Sequence, residues 1–198
     1  MSWITSQLSS RDITDPRVLA AMEAVPRHEF VPPEHHARAY EDAPVPIGFG
    51  HTISQPYIVA WMTQALGVAP GLKVLEVGTG CGYQTAILLE LGAEVWSLDV
   101  IPELTGRARD TLARLGHANV HLRTSSGYAG WPEAQPFDRI LVTAAPPDVP
   151  DALIAQLGDG GRLVAPVGTW DQVLVIVERH GSSITRREAI AVRFVPMV

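Results

Sequence analysis

The sequence predicts a doubly wound α/β fold: a mostly parallel sheet with helices on both faces, an antiparallel C-terminal edge and helical additions at the N-terminus. Three observations carry this. Short apolar runs alternate with helix-period stretches through residues 70–168, three alternate glycines stand where the first run gives way to the first helix, and two further strand-like runs close the chain. Alternation of that kind needs crossover helices, which must cover the sheet.

Residues 1–69 read as helical, with Thr14-Asp15-Pro16 supplying a capping side chain and a first-turn proline for a helix to about Ala24. From Val31 to Pro56 the chain carries Pro32, Pro33, Pro44, Pro46 and Pro56 with Gly48 and Gly50, too dense for regular helix or a central strand. Long irregular segments in compact domains commonly hold function, so this one is a candidate site. Strands are expected at Lys73–Val77, Glu94–Val100, Val120–Arg123, Phe137–Thr143 and Arg162–Pro166, with helices over Tyr83–Leu91 and Glu103–Leu115. Val173–Glu178 and Glu188–Val195 complete the edge as an antiparallel hairpin, and Val192 to Pro196 reads as edge strand ended by proline. The pattern shifts near Pro70-Gly71 and Gly168 lack the composition of linkers, so one domain over 1–198 is expected: 1–69 the N-terminal helices and active-site segment, 70–168 the cofactor-binding core, 169–198 the edge strands.

Composition narrows the function. With 198 residues, 46% of them hydrophobic, and five tryptophans, the chain has the material for a core that disordered sequences lack. Fifteen Lys+Arg against 21 Asp+Glu give a formal charge of −6, which disfavours a nucleic-acid partner. The single cysteine, Cys81, excludes an intrachain disulfide and any multi-thiolate metal site and fits a reducing compartment. Seven histidines, His35-His36 among them, show no metal-ligand spacing, so no metal is expected. No uninterrupted run of ~18 apolar residues suggests a membrane span, and neither a signal peptide nor a membrane partner is expected, which makes a cytoplasmic location the expectation.

The glycine loop is the first site. Residues 74–82, Val-Leu-Glu-Val-Gly-Thr-Gly-Cys-Gly, place Gly78, Gly80 and Gly82 between a strand and a helix, where the backbone can turn sharply and present unpaired N–H groups to a ligand. A dinucleotide fingerprint would need glycine where Tyr83 stands, which disfavours a nicotinamide oxidoreductase. Asp99, 21 residues after Gly78, ends the next strand where a carboxylate can accept both ribose hydroxyl protons. Glu76 before the loop suits a cationic ligand better than a diphosphate, and S-adenosylmethionine has a ribose, an ammonium and a sulfonium. Glu76, Gly78, Thr79, Gly80, Cys81 and Asp99 are the candidate cofactor-binding residues. Cys81, with no obvious histidine partner, reads as a small residue beside the ligand rather than a nucleophile.

The proline-rich segment carries Ala39-Tyr40-Glu41-Asp42-Ala43-Pro44, then Gly50-His51-Thr52-Ile53-Ser54-Gln55-Pro56-Tyr57. With Leu75–Gly82, Val142-Thr143-Ala144-Ala145 and Val192-Arg193-Phe194-Val195-Pro196, it closely resembles the protein-L-isoaspartate O-methyltransferase family over nearly the whole chain. The resemblance implies a Rossmann-like methyltransferase that transfers a methyl group from S-adenosylmethionine to the free α-carboxylate of isoaspartyl residues in damaged proteins, leaving S-adenosylhomocysteine. It places the active-site serine at Ser54. It also implies that His51, Thr52 and Ile53, with Val192, Phe194 and Val195, hold the isoaspartyl protein or peptide; a monomer is the expectation, although the sequence carries no signal of oligomeric state. From the residues alone, Ser54 reads first as a cap for the helix that begins at Pro56. Glu41 and Asp42 read as loop-capping or solvated acids rather than an acid/base pair.

Two positions depart from the family pattern. Ser125-Ser126-Gly127 stands where the family has Gly-Asp-Gly, so Ser126 replaces the acid that receives the adenine amino group, with Gly127 beside it. His51 stands where the family has glutamine, and it puts an imidazole three residues from Ser54. These departures leave open a relative that methylates normal aspartate in one dedicated peptide; a cofactor-binding protein without catalysis is a separate alternative, against which Ser54, Gly78, Gly80, Gly82 and Asp99 count.

Overall fold

The computed structural model describes residues 3–198. Helix α1 (Pro16–Ala24) starts where the cap signal placed it, with the Arg17 N–H donating to Asp15 Oδ1 at 2.9 Å. A 3-10 stretch at Arg27–Phe30 leads into the proline-rich passage, which forms another at Pro33–Arg38 and a small antiparallel hairpin, β1 (Val45–Gly48) and β2 (His51–Ile53), before α2 (Pro56–Leu66). Thus the N-terminal region is less helical than its sequence suggests, because proline removes backbone donors and limits much of it to short turns.

The alternating region follows: β3 (Lys73–Val77), α3 (Tyr83–Glu90), β4 (Glu94–Asp99), α4 (Pro102–Arg114), β5 (His121–Thr124), β6 (Phe137–Val142), α5 (Asp151–Ala155) and β7 (Leu157–Val167). Then come β8 (Gln172–His180) and β9 (Ser183–Val192). The seven strands lie in the order β5-β4-β3-β6-β7-β8-β9, parallel from β5 to β7 and antiparallel at the β8–β9 edge, as expected. Strand order reverses between β3 and β6, the position at which open α/β sheets form a crevice beyond the strand C-termini.

Side chains alternate between two apolar layers, as the pleat requires. Val74, Val95, Leu141, Val164 and Ile176 pack with α1 to α4, whereas Leu75, Leu98, Ile140, Val142, Leu163 and Val175 pack with Leu153 of α5, Trp131 and Phe137. Glu76 and Ser97, paired in the β3–β4 register, fall on the first face and are fully buried there.

The C-terminal edge differs from its expectation. Strand β9 begins earlier than Glu188 and ends at Val192, so the expected strand through Val195 is corrected. Its first residues, among them Arg186 and Arg187, are exposed, and charge on an open edge hides a strand from apolar patterning. Past Val192 the chain leaves the edge. The Gln172 amide clasps Phe194, accepting from its N–H at 2.6 Å and donating to its carbonyl at 3.1 Å. Val195–Met197 then crosses the end of β6, with Ala145 N–H donating to Val195 O at 2.8 Å and Met197 N–H to Ala145 O at 2.9 Å. Among the described residues no helix is long and apolar enough to cross a membrane.

Asp15 is a simple check on the N-terminal region. Replacing it with alanine removes the α1 cap and lowers stability by about 1 kcal/mol, read as a shift in the urea unfolding midpoint without a change in slope.

Candidate active site

The loop after β3 is pinned on both sides. Gly78 N–H and Thr79 N–H donate to Leu98 O at the end of β4, at 2.7 and 3.0 Å. On the other flank Thr143 N–H donates to Val77 O at 2.8 Å, and its hydroxyl donates to Gly78 O at 2.7 Å. Gly78 has φ +102°, and a Cβ there would lie 2.2 Å from Thr143 Oγ1, so no side chain fits. Gly80 N–H donates to Asp99 Oδ2 at 2.7 Å, and Ile101 N–H donates to Asp99 Oδ1 at 2.9 Å. Each carboxylate oxygen retains a lone pair for a further donor, and Asp99 lines the cleft.

One cleft brings together Gly78, Thr79, Gly80, Cys81 and Asp99 with His51, Thr52, Ile53 and Ser54. Gly127, Val195 and Met197 also line it. A Cβ on Gly127 would fall 2.1 Å from Val77 Cγ1 and 3.0 Å from Met197 Cε, so only glycine leaves this wall in place. A second groove, lined by Val192, Arg193, Phe194 and Ile58, shares Thr52, Ser54, Thr143 and Val195 with the cleft. Ser54 therefore stands where cleft and groove meet. Half-buried, its hydroxyl has no hydrogen-bond partner among the described residues.

The capping alternative for Ser54 is corrected. Asp42 caps α2 instead, accepting from Tyr57 N–H at 3.1 Å and from Gln55 Nε2 at 2.8 Å, while pairing with Arg11 at 3.0 Å. Glu41 pairs with Arg38 at the surface, so the two acids do not act together. Cys81 lines the cleft with its thiol pushed up to about 11 by burial, which keeps it protonated and accords with a packing role.

Two expected cofactor residues fall elsewhere. Ser126 is exposed and outside the cleft, its Oγ accepting from Tyr128 N–H at 3.5 Å, and its neighbours Ser125 and Gly127 line the wall instead. Glu76 lies beneath the loop rather than in the cleft. Its Oε2 accepts from Thr85 Oγ1 at 2.5 Å and Ser97 Oγ at 2.6 Å, and Thr79 Oγ1 meets Ser97 Oγ at 2.6 Å. Since Ser97 gives its one proton to Glu76, Thr79 donates to Ser97, and the acid reaches the loop through two hydroxyls. Sequence spacing could not separate these placements, because it gives the strand end but not the depth of the side chain. Thr143 and Met197 are cleft residues that the candidate set omitted; Thr143 lay inside a motif already noted, whereas Met197 carried no signal.

A parallel sheet with its crevice at the strand-order reversal, a glycine loop on one strand end and an acid on the next define the class, a Rossmann-like fold with its ligand cleft at the switch point. The family model described as Protein-L-isoaspartate(D-aspartate) O-methyltransferase (PCMT) matches residues 2–198. A protein-L-isoaspartate O-methyltransferase of Picosynechococcus is 52% identical over 98% of this chain and 87% of its own, and one of Anaeromyxobacter dehalogenans is 56% identical over 96% and 93%. A solved Plasmodium falciparum structure titled as a putative protein-L-isoaspartate O-methyltransferase, in complex with S-adenosyl-L-homocysteine, superposes with TM-score 0.85 at 25% identity, covering 98% of this chain and 96% of that one. Another solved protein-L-isoaspartate O-methyltransferase gives TM-score 0.88 at 27% identity, and this chain, 98% covered, spans 64% of its length. The chain belongs to the protein-L-isoaspartate(D-aspartate) O-methyltransferase family.

The buried acid gives a pH prediction. Burial pushes Glu76 up to about 7 from 4.5, against the Ser97 and Thr85 bonds that favour the anion, and the Asp99 charge adds to the rise. A raised carboxyl costs nothing below about pH 4.5, where both states are protonated, and the cost of burying its charge grows until pH passes about 7. Stability should therefore fall by up to about 3 kcal/mol across that window through this group. Glu76→Gln should flatten the fall, as judged by unfolding midpoints of both proteins at pH 5 and pH 8; parallel profiles would count against the assignment.

Proposed function

We propose that this protein is an S-adenosylmethionine-dependent carboxyl methyltransferase acting on the free α-carboxylate of isoaspartyl residues in damaged proteins and peptides. The observation that carries the reading is the position of Ser54, on the wall shared by the glycine-loop cleft and the groove beside Val192–Val195. The residues fit the cofactor: Asp99 keeps acceptor capacity for ribose hydroxyls, Gly78 and Gly80 bring backbone to the cleft, and Gly127 leaves its wall without a side chain. Thr79, Cys81 and Ser125 would complete the pocket, with Glu76 supporting it from below.

Bound S-adenosylmethionine supplies a sulfonium methyl group, which passes to a carboxylate oxygen as the S–C bond breaks and the O–C bond forms, leaving S-adenosylhomocysteine and a methyl ester. A carboxylate with a pKa near ~4 is already ionised at neutral pH, so no strong general base is needed. The chain's contribution is orientation in a site that excludes water. Ser54, with its hydroxyl uncommitted, donates to one substrate oxygen. His51, Thr52 and Ile53 line the same wall, and Val192, Phe194 and Val195 offer an extended segment against which a peptide backbone can lie without its side chains being read. The ester product closes to a succinimide by attack of the following backbone amide, and hydrolysis returns some normal aspartate. A monomer in the cytoplasm is part of the same proposal; the single free cysteine, Cys81, fits a reducing compartment.

Incubation with labelled S-adenosylmethionine and peptides differing only in isoaspartate or aspartate tests this. Isoaspartate alone should be labelled; labelling of normal aspartate would replace the reading with a peptide-tailoring one, and cofactor binding without labelling would remove catalysis. Ser54→Ala should lower kcat/KM about 10- to 100-fold, the loss of one hydrogen bond to a charged group, while S-adenosylhomocysteine affinity measured by calorimetry stays put. Ser126→Asp should tighten cofactor binding about tenfold, because a carboxylate can keep the turn bonded to Tyr128 N–H with one oxygen and offer the other to the adenine amino group. Unchanged or weaker binding in that variant would show that a side chain at this position, outside the cleft, does not reach the adenine.

A further inference from the structure

Arg27 is fully buried at 0% exposure, yet among the described residues no carboxylate lies within ion-pair distance of it. Its Nε donates to Ala39 O at 2.7 Å and its Nη2 to Ser54 O at 2.7 Å. Its Cζ lies 4.8 Å from the ring centroid of Tyr83, the first residue of α3 after the glycine loop. Nη1 is buried with no hydrogen-bond partner. Asp42, the acid that acts on it at longer range, is already bound to Arg11, Gln55 and the Tyr57 N–H. A buried guanidinium with no counter-ion is costly, and arginine cannot shed its proton to escape the cost.

We propose that Arg27 is a positioning residue for methyl transfer: it fixes the backbone of Ser54 against the glycine-loop side of the site, and its unneutralised charge favours an anionic substrate there. Arg27 does not line the cleft, so it acts through Ser54 and through its field. The substrate carboxylate supplies the negative charge that the protein itself withholds. A lysine at this position keeps the charge but cannot reproduce the planar fork that spans two carbonyls. This inference rests on the carboxylate-methylation reading above, and its test separates the two.

Parent, Arg27→Lys and Arg27→Met are compared by thermal midpoint, by S-adenosylhomocysteine affinity, and by binding of an isoaspartyl peptide against the same peptide with an α-carboxamide. Binding needs no turnover, so a parent that prefers the carboxylate but transfers no methyl group overturns the functional reading and leaves the charge role standing. Arg27→Lys should keep the carboxylate preference within about threefold and lose about tenfold or more in kcat, whereas Arg27→Met should lose both, with homocysteine-product affinity within about threefold in each. Repeating Arg27→Lys in a Ser54→Ala background should cost little further turnover, since the hydroxyl being placed is gone. Three outcomes overturn the proposal: an undiminished carboxylate preference in Arg27→Met, a full kcat loss for Arg27→Lys in both backgrounds, or losses of product affinity and thermal midpoint that track turnover, as a merely structural arginine would give.

Discussion

The active cleft depends on the way the β3 loop is held by the two strands beside it. Leu98 O takes the Gly78 and Thr79 N–H groups from one side, and Thr143 takes Val77 O and Gly78 O from the other. These bonds satisfy loop groups that would otherwise stand unpaired at a buried strand end. They also hold the loop in the geometry in which Gly80 N–H meets Asp99 and the cleft opens over the sheet. Packing then follows: α3 leaves the loop in a set direction, and Tyr83 at its start is carried beneath the Ser54 segment, where Arg27 ties the two together.

The buried Glu76 belongs to the same construction. Ser97 sits directly across from it in the β3–β4 register, Thr85 comes down from α3, and Thr79 hangs from the loop above. Three hydroxyls thus connect one acid to a strand, a helix and the glycine loop. Low dielectric strengthens such bonds, while the unpartnered Oε1 makes the ionised form costly.

The sheet core was legible because buried parallel strands leave plain apolar runs: Lys73–Val77 falls at the expected boundaries, and β4 and β6 agree to within one residue. Strand β7 begins at Leu157 rather than Arg162, since Gly158, Gly160 and Gly161 mask its first half. Strand β9 was masked by its charges. Among site residues, the glycines, Asp99 and Ser54 were found by motif, because each motif states a backbone position. Arg27 was invisible. An arginine between a helix and a proline-rich passage reads as surface, and only the folded chain shows that Ala39 and Ser54 turn their carbonyls inward to it.

The C-terminal strap has a consequence for the order in which the molecule becomes competent. The Val195–Met197 crossing joins Ala145, while the other wall of the cleft, Ile47 to Ser54, comes from the opposite end of the sequence. During synthesis the central strands can pair long before the strap exists, so a nascent chain has a sheet without a peptide groove. Pairings between segments this far apart in sequence carry a loop-closure cost that the strap meets only after Ala145 is in place. Because Val195 and Met197 also line the glycine-loop cleft, the strap completes the cofactor wall and the peptide groove in one step, after the sheet that carries both.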